Sequence, residues 1–84
     1  MLRTFEVVVK NILADFSEEE ANNLEPIIEG WNGFDEKIKF EKLESLLLKQ
    51  IPLDTESAKC IRIYSNLWGT TDSYTINKMI TLKD

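Results

Sequence analysis

Slid along itself by 37 positions, the chain places residues 16–43 on residues 53–80 without a gap, and chemical types coincide through the overlap. Phe16 meets Leu53, Glu19 meets Glu56, Ala21 meets Ala58 and Leu24 meets Ile61. Ile27 meets Tyr64, Trp31 meets Trp68, Asp35 meets Asp72 and Leu43 meets Ile80. A period of this size marks a duplicated supersecondary unit whose copies bury their apolar faces together. With 84 residues there is room for one such pair in one domain with a modest core. Three Gly and two Pro, against 43% hydrophobic and 30% charged residues, place the chain among globular proteins rather than disordered or fibrous ones.

The clearest local signal is the run Ser17-Glu18-Glu19-Glu20, a capping box. The serine oxygen can accept from the third helical amide while Glu20 reaches back, and acids in a first turn suit the positive end of the helix dipole. Ala21, Leu24, Ile27, Ile28 and Trp31 then make one stripe of a 3.6-residue period, so a helix is expected over 17–31. Pro26 is expected to kink or divide it, and Gly30 with Asn32-Gly33 to end it. Ile38, Phe40, Leu43, Leu46, Leu47 and Ile51 form a second stripe, predicting a helix over 36–50 that Pro52 stops. Asp54 or Thr55 is the expected cap of whatever follows.

Two stretches admit two readings. Cys60-Ile61-Arg62-Ile63-Tyr64 and Ser73-Tyr74-Thr75-Ile76-Asn77 are rich in β-formers, with turn chemistry between them at Gly69-Thr70-Thr71-Asp72. At helical period, however, Ala58, Ile61, Tyr64 and Trp68 share a face, with Cys60 and Leu67 beside it. The opening is ambiguous in the same way: Val7-Val8-Val9 favours a strand, whereas Phe5, Val8, Val9, Ile12, Leu13 and Phe16 make a helical stripe. The fold is therefore expected to be all-α, a paired helix-loop-helix lobe. The alternative is α+β, a small antiparallel sheet of 4–12, 59–68 and 73–82 with helices at 17–31 and 36–50.

Charge is distributed more tellingly than its total of −5. Between Lys10 and Lys37 there are eight acids and no base: Asp15, Glu18, Glu19, Glu20, Glu25, Glu29, Asp35 and Glu36. Such a face repels phosphates and speeds encounter with basic partners, so a protein with a basic surface is the expected partner and direct nucleic-acid or membrane binding is not expected. Catalysis is not expected either. There is no histidine, no Gly-rich phosphate loop and no nucleophile motif, and three consecutive glutamates splay around a helix instead of converging. The lone Cys60, in an apolar stretch, reads as a buried thiol and offers neither a disulfide nor a zinc site. No apolar run reaches the roughly 20 residues of a membrane span, and Met1-Leu2-Arg3-Thr4-Phe5-Glu6 lacks the regions of a secretion signal. An intracellular, cytoplasmic protein is the expectation.

The repeated unit resembles an EF-hand. An apolar residue before a Ser or Asp cap, then acids, then a stripe ending in Trp31, is similar to that family's entering helix; Ile38 with Leu43, Leu46 and Leu47 is similar to its loop residue and exiting helix. Ile76 stands in the corresponding place after Trp68, and the spacing resembles the paired hands of calmodulin and myosin light chains. An active loop needs alternating oxygen ligands and a closing bidentate Glu. Here Asn32 and Asp35 are the only such ligands before Ile38, with Lys42 or Leu43 at the closing position. In the second unit Thr71 and Ser73 offer hydroxyls and Ile80 closes. The resemblance thus implies a degenerate lobe that grips a basic amphipathic helix without metal or other cofactor, through Leu24, Ile28, Trp31, Leu43, Leu47 and Met79.

The expected function is that of a small acidic protein-binding module, not an enzyme, holding a basic or amphipathic segment of a partner. The surface expected to do so comprises Glu18, Glu19, Glu20, Glu25, Glu29, Trp31, Phe34, Asp35 and Glu36, with the two tryptophans readable either as core or as binding anchors. The alternative, from size and charge alone, is a stoichiometric inhibitor that masks a basic, nucleic-acid-binding or catalytic surface, as phage-encoded antagonists and toxin immunity proteins do.

Overall fold

A computed structural model describes residues 3–83, in five helices: α1 (Phe5–Leu13), α2 (Glu18–Glu29), α3 (Glu36–Gln50), α4 (Ala58–Trp68) and α5 (Asp72–Lys83). The all-α expectation holds. No strand occurs among the described residues, so the sheet of 4–12, 59–68 and 73–82 is overturned. Met1 and Leu2, read above for a leader, lie outside the described residues. None of the described helices is long and apolar enough to cross a membrane.

Burial overrides β-propensity in both ambiguous stretches. In α1, Phe5, Val8 and Ile12 are buried at helical spacing, and the Thr4 hydroxyl accepts from Val7 N at 3.3 Å to cap the first turn. In α4, the buried residues are Cys60, Ile63, Tyr64 and Leu67. That stripe is rotated from the expected one, leaving Ile61 half-buried and Ala58 exposed. Either strand would leave alternate members of these sets facing water, and each large apolar side chain so exposed forgoes about 1.5–3 kcal/mol of burial. The turn at Gly69 joins two helices instead of two strands: Gly69 lies in the left-handed region at φ 65° and ends α4.

Local punctuation explains the other boundaries. Ser17 and Glu20 form the capping box, with Glu20 N donating to Ser17 Oγ at 3.1 Å and Ser17 N to Glu20 Oε1 at 3.2 Å. Asp35 caps α3 by accepting from Ile38 N at 3.0 Å. The cap of α4 is Ser57, accepting from Cys60 N at 3.2 Å, and not Asp54 or Thr55. Asp54 instead accepts from Glu56 N at 2.9 Å and shapes the turn before it. Pro26 does not divide α2, which runs through it as one helix.

At the centre of the molecule is α4, which packs chiefly against α1 and α5, while α1 also packs against α3. The Tyr64 hydroxyl ties α4 to the end of α3 by donating towards Ile51 O at 2.7 Å and Leu47 O at 3.1 Å. Arg3 donates from Nη1 to Asn66 O at 2.7 Å and Leu67 O at 3.2 Å, closing the free carbonyls at the end of α4. The internal repeat survives in burial, but one position out of register. A shift of 37 sets buried Leu43 on exposed Ile80, whereas a shift of 36 sets Leu24 on Cys60, Ile28 on Tyr64 and Leu43 on Met79, all buried.

Candidate functional site: an apolar groove with an acidic wall

In α2 the core-facing residues are Leu24 and Ile28. Glu18, Glu25 and Glu29, spaced seven and four apart, therefore fall on one flank of the helix. Glu25 and Glu29 stand on one wall of a groove of about 520 Å³ between α1 and α2, with Ala21, Ile28 and Asn32. The other wall is α1, through Phe5, Glu6, Val9, Lys10, Leu13 and Ala14. The groove exists because α1 gives its closely packed face to α4 and α3, so the neighbouring α2 is joined to it by a short turn without closing against it.

The electrostatics of the two walls differ. Among the described residues the ion pairs are Arg62–Asp15 at 2.9 Å and Lys39–Glu6 at 3.9 Å. Glu18, Glu25 and Glu29 are thus without an internal cation, and so is Lys10 without an internal anion. An unpaired, solvated carboxylate beside an apolar floor is free to pair with a cation that arrives on an apolar carrier.

The other expected site residues are not gathered here. Glu19 points roughly 120° around the helix from Glu25, on the far side from the groove. Glu20 is occupied by the cap, its carboxylate accepting from Ser17 N and Ser17 Oγ; these bonds hold its pKa below the usual glutamate value. Asp35 is likewise occupied at the start of α3, beside exposed Glu36. Phe34 is exposed on the α2–α3 turn with the Lys42 ammonium 4.6 Å from its ring centroid, so the charge over it is positive. Trp31 is half-buried against the core and lines a second depression with Ile38, Lys42, Leu46 and Lys49. Trp68 is also part of the core edge: its ring lies 5.1 Å from Tyr64, and its Nε1 donates to Glu44 Oε2 at 2.8 Å.

The apolar residues expected to clasp a partner helix are mostly spent inside the chain. Leu24, Leu43, Leu47 and Met79 belong to the closed core, and of the set only Ile28 reaches the groove floor. The α1 wall was absent from the expected site. Its signal was present, because the stripe Phe5, Val8, Val9, Ile12, Leu13 is too wide for one buried face, and its surplus edge, Val9 and Leu13, stays half-buried beside the groove.

Among the described residues no three Cys, Asp or Glu side chains converge as a metal-binding group. Cys60 is buried, with its thiol 3.5 Å from Pro52 O. Comparison with family models, curated proteins and solved structures finds no match.

Proposed function

We propose that this chain is a non-catalytic protein-binding module whose α1–α2 groove takes a basic amphipathic segment of a partner protein, without metal. The observation that supports this is the conjunction of an apolar floor with unpaired carboxylates at Glu25 and Glu29 on one wall. Helix-in-groove recognition uses these two elements, an apolar stripe for affinity and flanking charge for steering and register. The side chains whose pKa values the fold displaces are committed elsewhere: Glu20 holds the start of α2 and Tyr64 the end of α3. We also propose a degenerate EF-hand-like ancestry for the helix-loop-helix pair, in which the partner would sit outside the lobe because Leu24, Leu43, Leu47 and Met79 are buried.

Fluorescence anisotropy with a labelled Leu/Lys amphipathic peptide tests the reading. The intact chain binds it at low ionic strength, Glu25→Lys/Glu29→Lys abolishes binding, and Glu19→Lys/Glu36→Lys at physiological salt leaves it near the wild-type level. Equal loss from both double variants at physiological salt would reduce the interaction to bulk charge and remove the groove from the account.

A further inference from the structure

We propose that the groove selects a helix of about three turns that carries its cations along one flank only, the flank lying against α2. This rests on the binding-module reading and adds the occupant's length, charge geometry and direction. Along α2 from Ala21 to Glu29 the wall rises roughly 12 Å, and Asn32 in the turn beyond extends it, so a helix of about three turns spans it. Glu25 and Glu29 are one turn apart on it, about 6 Å along the axis, which matches Lys or Arg at i and i+4 of a helix lying alongside.

The α1 wall asks for something different. Lys10 lines it without an ion-pair partner among the described residues, and Glu6, towards the start of α1, already has Lys39 at 3.9 Å. A helix with cations on both flanks would bring one of its rows against Lys10, and like charges set together across an interface discriminate against that partner. The favoured occupant has its apolar stripe on Val9, Leu13 and Ile28, cations towards α2, and a neutral or acidic residue towards Lys10.

One-sided charge also sets direction. Turning a helix end for end in the groove, with its apolar stripe kept down, exchanges its two flanks. Only one of the two orientations therefore puts the cations against Glu25 and Glu29, and a peptide whose cations lie on the opposite side of its stripe docks the other way round.

Two labelled peptides of about twelve residues, each long enough to span the groove, test this by fluorescence anisotropy at low ionic strength with the whole chain. They share one composition and one leucine stripe. The first has lysines on one flank and glutamates on the other; the second has lysines on both flanks and glutamates on the outer face. The wild-type chain binds the first about tenfold more tightly, a discrimination that a few surface charge contacts of ordinary strength supply. Lys10→Gln narrows the gap, and Lys10→Glu closes or reverses it; circular dichroism confirms that each variant remains helical. If the second peptide binds as tightly as the first, yet both are lost on Glu25→Lys/Glu29→Lys, the one-flank inference is wrong while the binding-module reading stands. If neither peptide responds to Glu25→Lys/Glu29→Lys, both fall together.

Discussion

Tyr64 concentrates several structural roles in one side chain. It is fully buried, its ring lies 5.1 Å from Trp68, and its hydroxyl hydrogen faces two carbonyl oxygens at the end of α3. Leu47 O also accepts from Ile51 N at 2.7 Å, whereas Ile51 O, at the C-cap, is one of the carbonyls a helix leaves without an internal partner, so the phenol satisfies at the C-terminus what serine and aspartate satisfy at N-termini. Tyr64→Phe keeps the ring and removes the donor, and is expected to lower stability by about 1–2 kcal/mol in denaturant unfolding at neutral pH. A loss within measurement error would mean that water replaces the hydroxyl without penalty. Burial, with Cys60 and Glu44 adding in the same direction, raises the pKa of this hydroxyl in the folded chain. The folded state then holds its proton after the unfolded chain, at about pH 10, has released it. Stability from Tyr64 is complete below that pH and declines as pH rises beyond it, so the alkaline fall in stability should be shallower for Tyr64→Phe than for wild type.

At the scale of the helix, α2 is well begun and poorly continued. Its capping box is complete, and Glu20 works there as an anion. Because these bonds depress the folded pKa, their contribution is present above the ordinary glutamate range and is lost as pH falls through the folded value. Glu20→Gln should therefore be less stable than wild type at neutral pH, with thermal melts converging on acidification; a gap that persists in acid would assign the effect to packing. Further along, Pro26 removes the amide that would donate to Asn22 O, yet the helix continues through it with the ring exposed. Pro26→Ala restores that donor and should stabilise the chain by about 1–3 kcal/mol. No gain would show that tertiary contacts, and not the backbone ladder, hold this turn. These two positions also separate what was legible from what was not. Ser17 could be read because a cap acts within its own turn, whereas Asp35, which caps α3 in the same way, was expected in the binding surface instead. Ser57 could not be chosen over Asp54 and Thr55, since all three can cap and the path of the chain after Pro52 decides. The helical state of α1 and α4 was undecided for a related reason: valine and isoleucine favour strands locally, and only the faces of α1, α4 and α5 meeting in one core outweigh that preference.

Over the whole molecule, the wide apolar stripe of α1 divides between a core face and a groove wall, and sequence periodicity shows the width without showing which helix arrives to cover each part. The acids behave similarly. Their crowding between Lys10 and Lys37 was plain, but helix phase and capping divide them: Glu25 and Glu29 line the groove, Glu20 and Asp35 close helix ends, and Glu19 faces away. This division makes the salt dependence of association a sharp measurement. The molecule spans 32 × 28 × 25 Å. At about 0.01 M ionic strength the screening length is roughly 30 Å, so every acid contributes to one field over the whole surface. Stopped-flow association of a basic amphipathic peptide should then be slowed to a similar extent by Glu19→Lys and by Glu25→Lys. At about 0.15 M the screening length falls to roughly 8 Å, and only charges beside the docked peptide still act. Under those conditions Glu25→Lys should remain slow, while Glu19→Lys returns to the wild-type rate. Parallel curves for the two variants at all salt concentrations would place the encounter elsewhere than the α1–α2 groove. A separation that opens as salt is added would instead locate the approaching segment on the Glu25 side of α2, because the two glutamates stand about 9 Å apart along the axis and roughly 120° apart around it.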